Sequence, residues 1–109
     1  MSAPVRPKKK LQPSPENKVE RLPPFLVILH NDDDHSFGYV VDMMQAIFNM
    51  KQEDGFRIAT EVHEQGKAVV FRGHKERAEL KLEQIHSYGP DKRIERCQGS
   101  MSASIEPEA

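Results

Sequence analysis

The sequence predicts an α+β fold, in which a small three-stranded antiparallel or mixed sheet packs against three helices in the order βααβαβ. Three short apolar or alternating segments predict the strands, and three segments with apolar residues every three or four positions predict the helices. Two helices in succession after the first strand do not fit a regular parallel βαβ series. The chain has 109 residues and 37% hydrophobic content, enough for one domain with a modest core.

The first strand and the first helix are separated by a short acidic segment. Residues 25–29, FLVIL, follow two prolines and predict the strand. From Ser36 onward the apolar residues adopt the spacing of one helical face, which is expected to be buried. This face comprises Phe37, Val40, Val41, Met44, Ile47 and Phe48. Either Asp34 or Ser36 can cap the helix, since both side chains accept hydrogen bonds from free backbone N–H groups.

The second helix is predicted over about residues 53–65. Phe56, Ala59 and Val62 are three residues apart and form its expected buried stripe, although Gly55 weakens its first turn. Gly66 is placed to end this helix in a left-handed conformation. The following KAVVF, residues 67–71, predicts the second strand.

The third helix is predicted from about residue 75, with a buried stripe of Ala78, Leu82 and Ile85, and it ends at Gly89 and Pro90. Residues 91–100 are polar and predict a loop. After this loop, apolar residues alternate with polar ones from Met101 to Glu106, which is the period of a half-buried strand at a sheet edge.

The N-terminal segment differs in composition from the rest of the chain. Residues 1–24 contain six of the eight prolines, and six basic against two acidic residues give them a net charge of +4, which leaves −5 for residues 25–109. We therefore expect a disordered, basic tail over residues 1–23 and a folded domain over residues 24–109. The tail lacks aromatic residues for base stacking and the domain is acidic, so no nucleic-acid partner is expected.

The composition also indicates the cellular compartment of the protein. No apolar run approaches the about 20 residues needed to span a bilayer, and the N-terminus has no signal-peptide core. The single Cys97 cannot form an internal disulfide and is interpreted as inert. These features predict a cytoplasmic protein without a membrane partner.

The sequence does not predict an enzyme. The six glycines are scattered rather than set at phosphate-binding spacing, and no nucleophile elbow surrounds Ser36. A metal site is a second possibility, because imidazole and carboxylate groups typical of zinc or manganese sites lie near one another in the chain. These residues are His30, Asp32, Asp34, His35, His63 and Glu64. Their spacing matches neither an HExxH motif nor an EF-hand loop, so neither metal nor cofactor is expected.

The most informative feature is the abrupt change from FLVILH to the acidic segment Asn31–His35. Three adjacent carboxylates repel one another unless turn geometry, a helix start or a cationic ligand compensates. A ligand ammonium group offers three N–H donors, which the amide oxygen of Asn31, a carboxylate and the imidazole of His63 could accept. The ordinary alternatives are an Asx turn at Asn31 and a partly exposed histidine at residue 63.

Three blocks of the sequence together resemble the ClpS family of Clp protease adaptors. They are LVILHNDDD with the amphipathic helix after it, VHEQGKAVV, and AELKLEQIHSYG, and the resemblance spans about residues 24–88 with a fainter return at residues 101–106. It implies a non-enzymatic adaptor that binds substrates with N-terminal Leu, Phe, Tyr or Trp. The adaptor delivers them to an AAA+ Clp unfoldase of the ClpA or ClpC type, which its N-terminal extension engages.

The resemblance also implies which residues form the binding site. Asn31, Asp32 and His63 would hold the free α-amino group, and Asp33 and His35 would support them. The pocket for the first side chain would be formed by Phe37, Val40, Ala59, Val62 and Met101.

The chain departs from the family pattern at three of these positions. His35 replaces the usual Thr, and Phe37 and Ala59 stand where Met is common, so one change adds volume to the pocket and another removes it. Such a pair can also be compensating core residues. The alternative function is therefore a diverged ClpS-like module that regulates the unfoldase without recognising N-terminal residues.

Overall fold

The computed structural model describes residues 22–108. It confirms the predicted α+β class and the order βααβαβ. The elements are β1 (Phe25–His30), α1 (Phe37–Phe48), α2 (Gln52–Gln65), β2 (Lys67–Gly73), α3 (Lys75–His86) and β3 (Ala103–Pro107). Apart from its last two residues, the predicted tail over residues 1–23 lies outside the described residues.

The three strands form an antiparallel sheet in the order β2-β1-β3, with β1 in the centre. Val27 pairs with Phe71 on one side and Ile105 on the other, and the β1–β2 register shifts between Val27 and Ile28. This shift is a bulge that turns both Val70 and Phe71 toward the core. The sheet is thus antiparallel rather than mixed, and β3 lies at its edge as predicted.

The helices cover one face of the sheet, and the hydrophobic core lies between them. Val27 and Leu29 of β1 are fully buried on this face, whereas Val69 on the opposite face is 46% exposed. Helix α3 contacts all three strands, and α1 packs chiefly on α2. The alternating burial along β2, with Ala68 and Val70 buried and Lys67 and Val69 exposed, shows which face of the sheet receives the helices.

The helix boundaries follow local chemistry. The Ser36 hydroxyl accepts a hydrogen bond from the backbone N–H of Tyr39 at 3.2 Å, so Ser36 caps α1. Gly66, at φ 88°, ends α2 in the predicted left-handed conformation and donates its N–H to the Val62 carbonyl. Because Gly55 lacks a side chain, α1 can approach closely: a Cβ there would lie 3.2 Å from the Val41 carbonyl oxygen.

Two residues predicted as core are on the surface. Phe37 is 37% exposed and Phe56 is 56% exposed, and their rings pack edge to face with centroids 4.7 Å apart. Tyr39 and Met43 are buried in α1 instead. Burial of Tyr39 is possible because its hydroxyl donates to the Gly89 carbonyl at 2.7 Å. Between residues 22 and 108, no helix is long and apolar enough to cross a membrane.

Candidate functional site

The segment after β1 lies against the end of α2. The backbone N–H of Asn31 donates to the Gly66 carbonyl at 2.9 Å, and that of His30 donates to the Ser102 carbonyl at 3.0 Å. His63 is exposed in the last turn of α2. A helix C-terminus carries a partial negative charge from its free carbonyl groups, so this end of α2 favours a cation. The structure thus places Asn31 beside the helix end that carries His63.

Asp32 is held by its own turn and by His35. Its Oδ1 accepts from the Asp34 backbone N–H at 2.9 Å, and the His35 Nδ1 lies 2.8 Å from Oδ1 and 2.9 Å from Oδ2. The Asp32 side chain is 33% exposed and that of His35 only 5%. A carboxylate can accept about four hydrogen bonds. Asp32 therefore keeps capacity for a further donor from the solvent side.

His35 joins Asp32 to the loop before β3. Its Nε2 lies 2.8 Å from the Gly99 carbonyl oxygen and 3.2 Å from the Cys97 Sγ. Its ring packs on that of Tyr39, with centroids 4.6 Å apart. His35 is thus a structural link between the acidic turn, α1 and the loop.

The loop of residues 91–100 contains a residue that the sequence analysis missed. Asp91 is only 1% exposed, although it was predicted to lie in a polar loop. Its carboxylate accepts from the backbone N–H groups of Ser36 at 2.6 Å and Arg93 at 3.0 Å. Burial acts to raise the pKa of Asp91, but the hydrogen bonds from Ser36 and Arg93 and the Arg93 charge outweigh it, so the pKa is lowered. Asp91 fixes the loop to the start of α1.

A second residue of this loop, Arg96, compensates negative charge on the acidic turn. Arg96 donates from Nε to the Asp34 carboxylate at 2.5 Å and from Nη2 to the Asp33 carbonyl at 2.6 Å. The hydrogen bond and the charge of Asp34 raise the pKa of Arg96. The sequence contained a signal for this contact, since the loop carries three basic residues and the turn after β1 carries three acidic ones.

The loop and the acidic turn enclose a cavity of about 480 Å³. Its lining includes Asp32 and His35 from the predicted site and Arg96 and Cys97 from the loop. Neither His63 nor any residue of the predicted hydrophobic pocket lines this cavity. Apart from Asp32 and His35, the residues that line this cavity were not assigned to the site by the sequence analysis.

Four of the five predicted pocket residues come together in the core. Val40, Ala59, Val62 and Met101 belong to one hydrophobic cluster, and each is 3% exposed or less. Phe37 is not part of that cluster. It precedes Val40 by one helical turn, so its ring lies on the same side of α1 but at the surface.

The alternative of a metal site has no cluster to support it in the described range. Within residues 22–108, no group of three or more His, Cys, Asp or Glu side chains is arranged to hold a metal ion.

Comparison with known proteins determines the family. A family model described as ATP-dependent Clp protease adaptor protein ClpS matches residues 20–94. The chain belongs to the ClpS family. This confirms the resemblance found in the sequence, and ClpS proteins are by description adaptors of a Clp protease.

Individual relatives agree with this assignment. The ClpS of Desulfatibacillum aliphaticivorans is 40% identical over 73 residues, covering 67% of this chain and 70% of the relative. The ClpS of Synechococcus elongatus is 33% identical over 98 residues, covering 89% of this chain and 92% of the relative.

A solved ClpS structure carries a ligand. Agrobacterium tumefaciens ClpS2 bound to L-phenylalaninamide is 28% identical to this chain, with a TM-score of 0.69, over 81% of this chain and 100% of the ClpS2 chain. Its ligand is a phenylalanine with a free α-amino group and an amide in place of the next peptide bond. The TM-score shows that this chain and ClpS2 share one fold.

Proposed function

We propose that this protein is an adaptor that binds the free α-amino group and the bulky hydrophobic side chain of an N-terminal residue. It delivers such substrates to an AAA+ Clp unfoldase and its peptidase. The observation that carries the proposal is the hydrogen bond from the Asn31 backbone to the Gly66 carbonyl, which joins the acidic turn to the C-terminal end of α2 and its partial negative charge. The similarity to a ClpS2 that binds L-phenylalaninamide supports the ligand class.

In this proposal the α-ammonium group has three acceptors. Asn31 offers its side-chain oxygen, Asp32 offers the remaining capacity of its carboxylate, and His63 offers a neutral imidazole nitrogen. His35 supports the site by fixing the orientation of the Asp32 carboxylate. Asp33 adds negative potential from its exposed position on the same turn. An acetylated N-terminus has neither the charge nor the three donors that this arrangement requires.

The first side chain of the substrate enters between α1 and α2. Val40, Ala59, Val62 and Met101 form the apolar wall, and the packed rings of Phe37 and Phe56 form its rim. Since the wall is closed to solvent in the structure, binding requires the rim to move and the wall residues to repack. We propose preferred N-terminal residues of Leu, Phe, Tyr and Trp, with weaker binding of Ile and Val because of their branched Cβ.

Delivery is assigned to the N-terminal tail. Residues 1–23 are basic and rich in proline, so they can engage a protein surface while the domain over residues 24–109 holds the substrate. An unfoldase of the ClpA or ClpC type is the proposed partner, in the cytoplasm, and no metal or cofactor is involved.

Fluorescence anisotropy of labelled peptides tests the proposal. The peptides differ only at their first residue, Leu, Phe, Trp, Val or Arg, and each is prepared with a free and an acetylated N-terminus. We expect saturable binding of Leu, Phe and Trp peptides that is lost on acetylation. Equal binding of the acetylated peptides would rule out recognition of the α-amino group.

A pair of variants locates the site. Asp32→Asn removes the charge but keeps an acceptor oxygen, and we expect affinity to fall by about tenfold to a hundredfold, as for loss of a charge-assisted hydrogen bond. Asp54→Asn is the matched control, since Asp54 is a half-exposed carboxylate of α2 that pairs with Arg57 and with no other residue in the part of the chain that the structure describes. If both variants bind like the wild type, the ligand lies elsewhere.

A second candidate function is a ClpS-like module that regulates the unfoldase without binding N-terminal residues. Two observations favour it: the pocket wall is closed to solvent, and His35 takes up part of the hydrogen-bonding capacity of the Asp32 carboxylate. The same peptide series separates the two candidates, because the module would inhibit or redirect the unfoldase while binding none of the peptides.

A further inference from the structure

We infer that Phe56 is a specificity-determining residue, which makes the proposed site bind an aromatic N-terminal side chain more tightly than an aliphatic one. The inference rests on the proposed function and adds a preference within its substrate class. The family resemblance did not assign Phe56 to the pocket, and the helical spacing predicted a buried core residue. In the structure the ring is 56% exposed.

Two of the five phenylalanines lie outside the core. Phe25, Phe48 and Phe71 pack against the hydrophobic cluster. Phe37 and Phe56 are exposed instead, and their rings lie edge to face, with centroids 4.7 Å apart and planes at 71°. Two exposed rings in contact form a continuous apolar surface, and such surfaces mark binding sites more often than single exposed apolar residues do.

This aromatic pair lies beside the wall of the proposed pocket. Val40 follows Phe37 by three positions, and Ala59 follows Phe56 by three positions. Each ring is therefore one helical turn away from a buried residue of the wall. A substrate side chain that enters between α1 and α2 toward Ala59 meets both rings first, so the rim contacts every substrate that the site accepts.

The Phe56 ring has space into which it can move. A hollow of about 360 Å³ beside it is lined by Gln52, Glu53 and Phe56 itself. Gln52 and Glu53 precede Phe56 by four and three positions on α2, and a helical phenylalanine points toward these positions in both of its common χ1 rotamers. The ring can thus leave Phe37 by a rotamer change without a change in the helix backbone.

The edge-to-face contact sets the preference. Aromatic pairs are stabilised beyond their buried area, because the positive edge of one ring meets the negative face of the other. Opening the rim separates Phe37 from Phe56 and removes this contact. A Phe, Tyr or Trp side chain of the substrate restores an aromatic contact with Phe56, whereas Leu restores only an apolar one. The Phe56 ring should therefore favour aromatic over aliphatic substrates by about twofold to tenfold.

The test compares two peptides that are identical except for Phe or Leu at the free N-terminus. Fluorescence anisotropy with the full chain gives a Kd for each, and the measured quantity is the ratio of the Leu Kd to the Phe Kd. Phe56→Leu keeps apolar contact but removes the ring, and it should lower this ratio by about twofold to tenfold. Phe56→Tyr keeps the ring and should leave the ratio as in the wild type.

Leu80→Ala is the matched control, because it truncates an exposed apolar residue on α3 and should not change the ratio. Circular dichroism checks folding, and Phe56→Met replaces Phe56→Leu if that variant does not fold. If Phe56 only supports the structure, both Kd values change by the same factor, and an unchanged ratio in Phe56→Leu overturns this inference alone. A wild type that binds neither peptide refutes the proposed function and the inference together.

Discussion

Asp91 is the residue whose removal should disturb the loop most. Its buried carboxylate accepts two backbone N–H groups, one from Ser36 at the start of α1 and one from Arg93 within the loop. An Arg93 Nη1 also lies 3.6 Å from it. Asp91→Ala removes all three interactions and leaves the two backbone N–H groups without a protein acceptor, so that only water that enters the site can accept from them.

The magnitude follows from the number of unpaired donors. A hydrogen bond to a charged group contributes about 1.5–3 kcal/mol, and each buried group left unsatisfied costs about 1–3 kcal/mol. In the wild type, the cost of burying the Asp91 carboxylate offsets part of the stability that its hydrogen bonds contribute. We therefore expect Asp91→Ala to lower the free energy of unfolding by about 2–5 kcal/mol, and Asp91→Asn, which keeps one acceptor oxygen, by about 1–2 kcal/mol. The total free energy of unfolding of a protein domain is only about 5–15 kcal/mol.

Urea unfolding followed by circular dichroism measures these differences, with the slope m compared to confirm that the same surface is exposed. Asp54→Asn serves as the control, because an exposed pair contributes little, and it should stay within about 0.5 kcal/mol of the wild type. If Asp91→Ala is as stable as the wild type, the carboxylate does not hold the loop to α1 and the reasoning is refuted.

The pH dependence of the same variants gives an independent check. The pKa of Asp91 is lowered in the folded protein, so its contribution to stability is fully present above the unfolded pKa of about 3.9. It is lost as the pH falls through the lower folded value. The stability difference between wild type and Asp91→Asn should therefore be constant near neutral pH and should shrink below about pH 4. A difference that stays constant into strong acid would contradict the lowered pKa.

Three further predictions concern the core, a helix contact and the tail. Ile85→Ala, at a fully buried position, should cost about 2–5 kcal/mol in urea unfolding, whereas Leu80→Ala on the same helix, at 50% exposure, should cost less than about 1 kcal/mol. Gly55→Ala places a Cβ 3.2 Å from the Val41 carbonyl, so it should lower stability despite the better helix propensity of alanine, and a higher unfolding midpoint would count against this. Removal of residues 1–22 should leave peptide affinity unchanged but impair degradation in a reconstituted assay with unfoldase and peptidase, and full degradation by the truncated protein would refute the assigned role.

The sequence predicts the fold well because its periodicities are strong and locally consistent. The strand and helix order and the left-handed Gly66 follow from residue types and spacing, and Ser36 is one of the two caps that the sequence allowed. Errors occur where tertiary contacts override the pattern. Phe37 lies on the apolar stripe of α1 but remains at the surface, whereas Tyr39 is buried because distant groups satisfy its hydroxyl.

The candidate site was predicted less completely than the fold. The acidic turn and the end of α2 could be paired through the family resemblance, but the loop of residues 91–100 could not be positioned. Its contacts span more than 50 residues and depend on single side chains, as in the bonds of Asp91 to Ser36 and of Arg96 to Asp34. No periodic pattern encodes such contacts; only the opposite charges of the two segments hint at them.

These contacts change the physical argument for the ammonium site. In the sequence, three adjacent carboxylates required compensation by turn geometry, a helix start or a cationic ligand. In the structure, Arg96 forms an ion pair with Asp34, and His35 forms hydrogen bonds with Asp32, so charge repulsion alone no longer calls for a ligand. The proposal of an α-ammonium ligand rests instead on acceptors: the helix end beside Asn31 and the free capacity of the Asp32 carboxylate on its solvent side. Neutralising Arg96 should therefore alter loop stability but leave peptide affinity unchanged, whereas neutralising Asp32 should lower peptide affinity by about tenfold to a hundredfold.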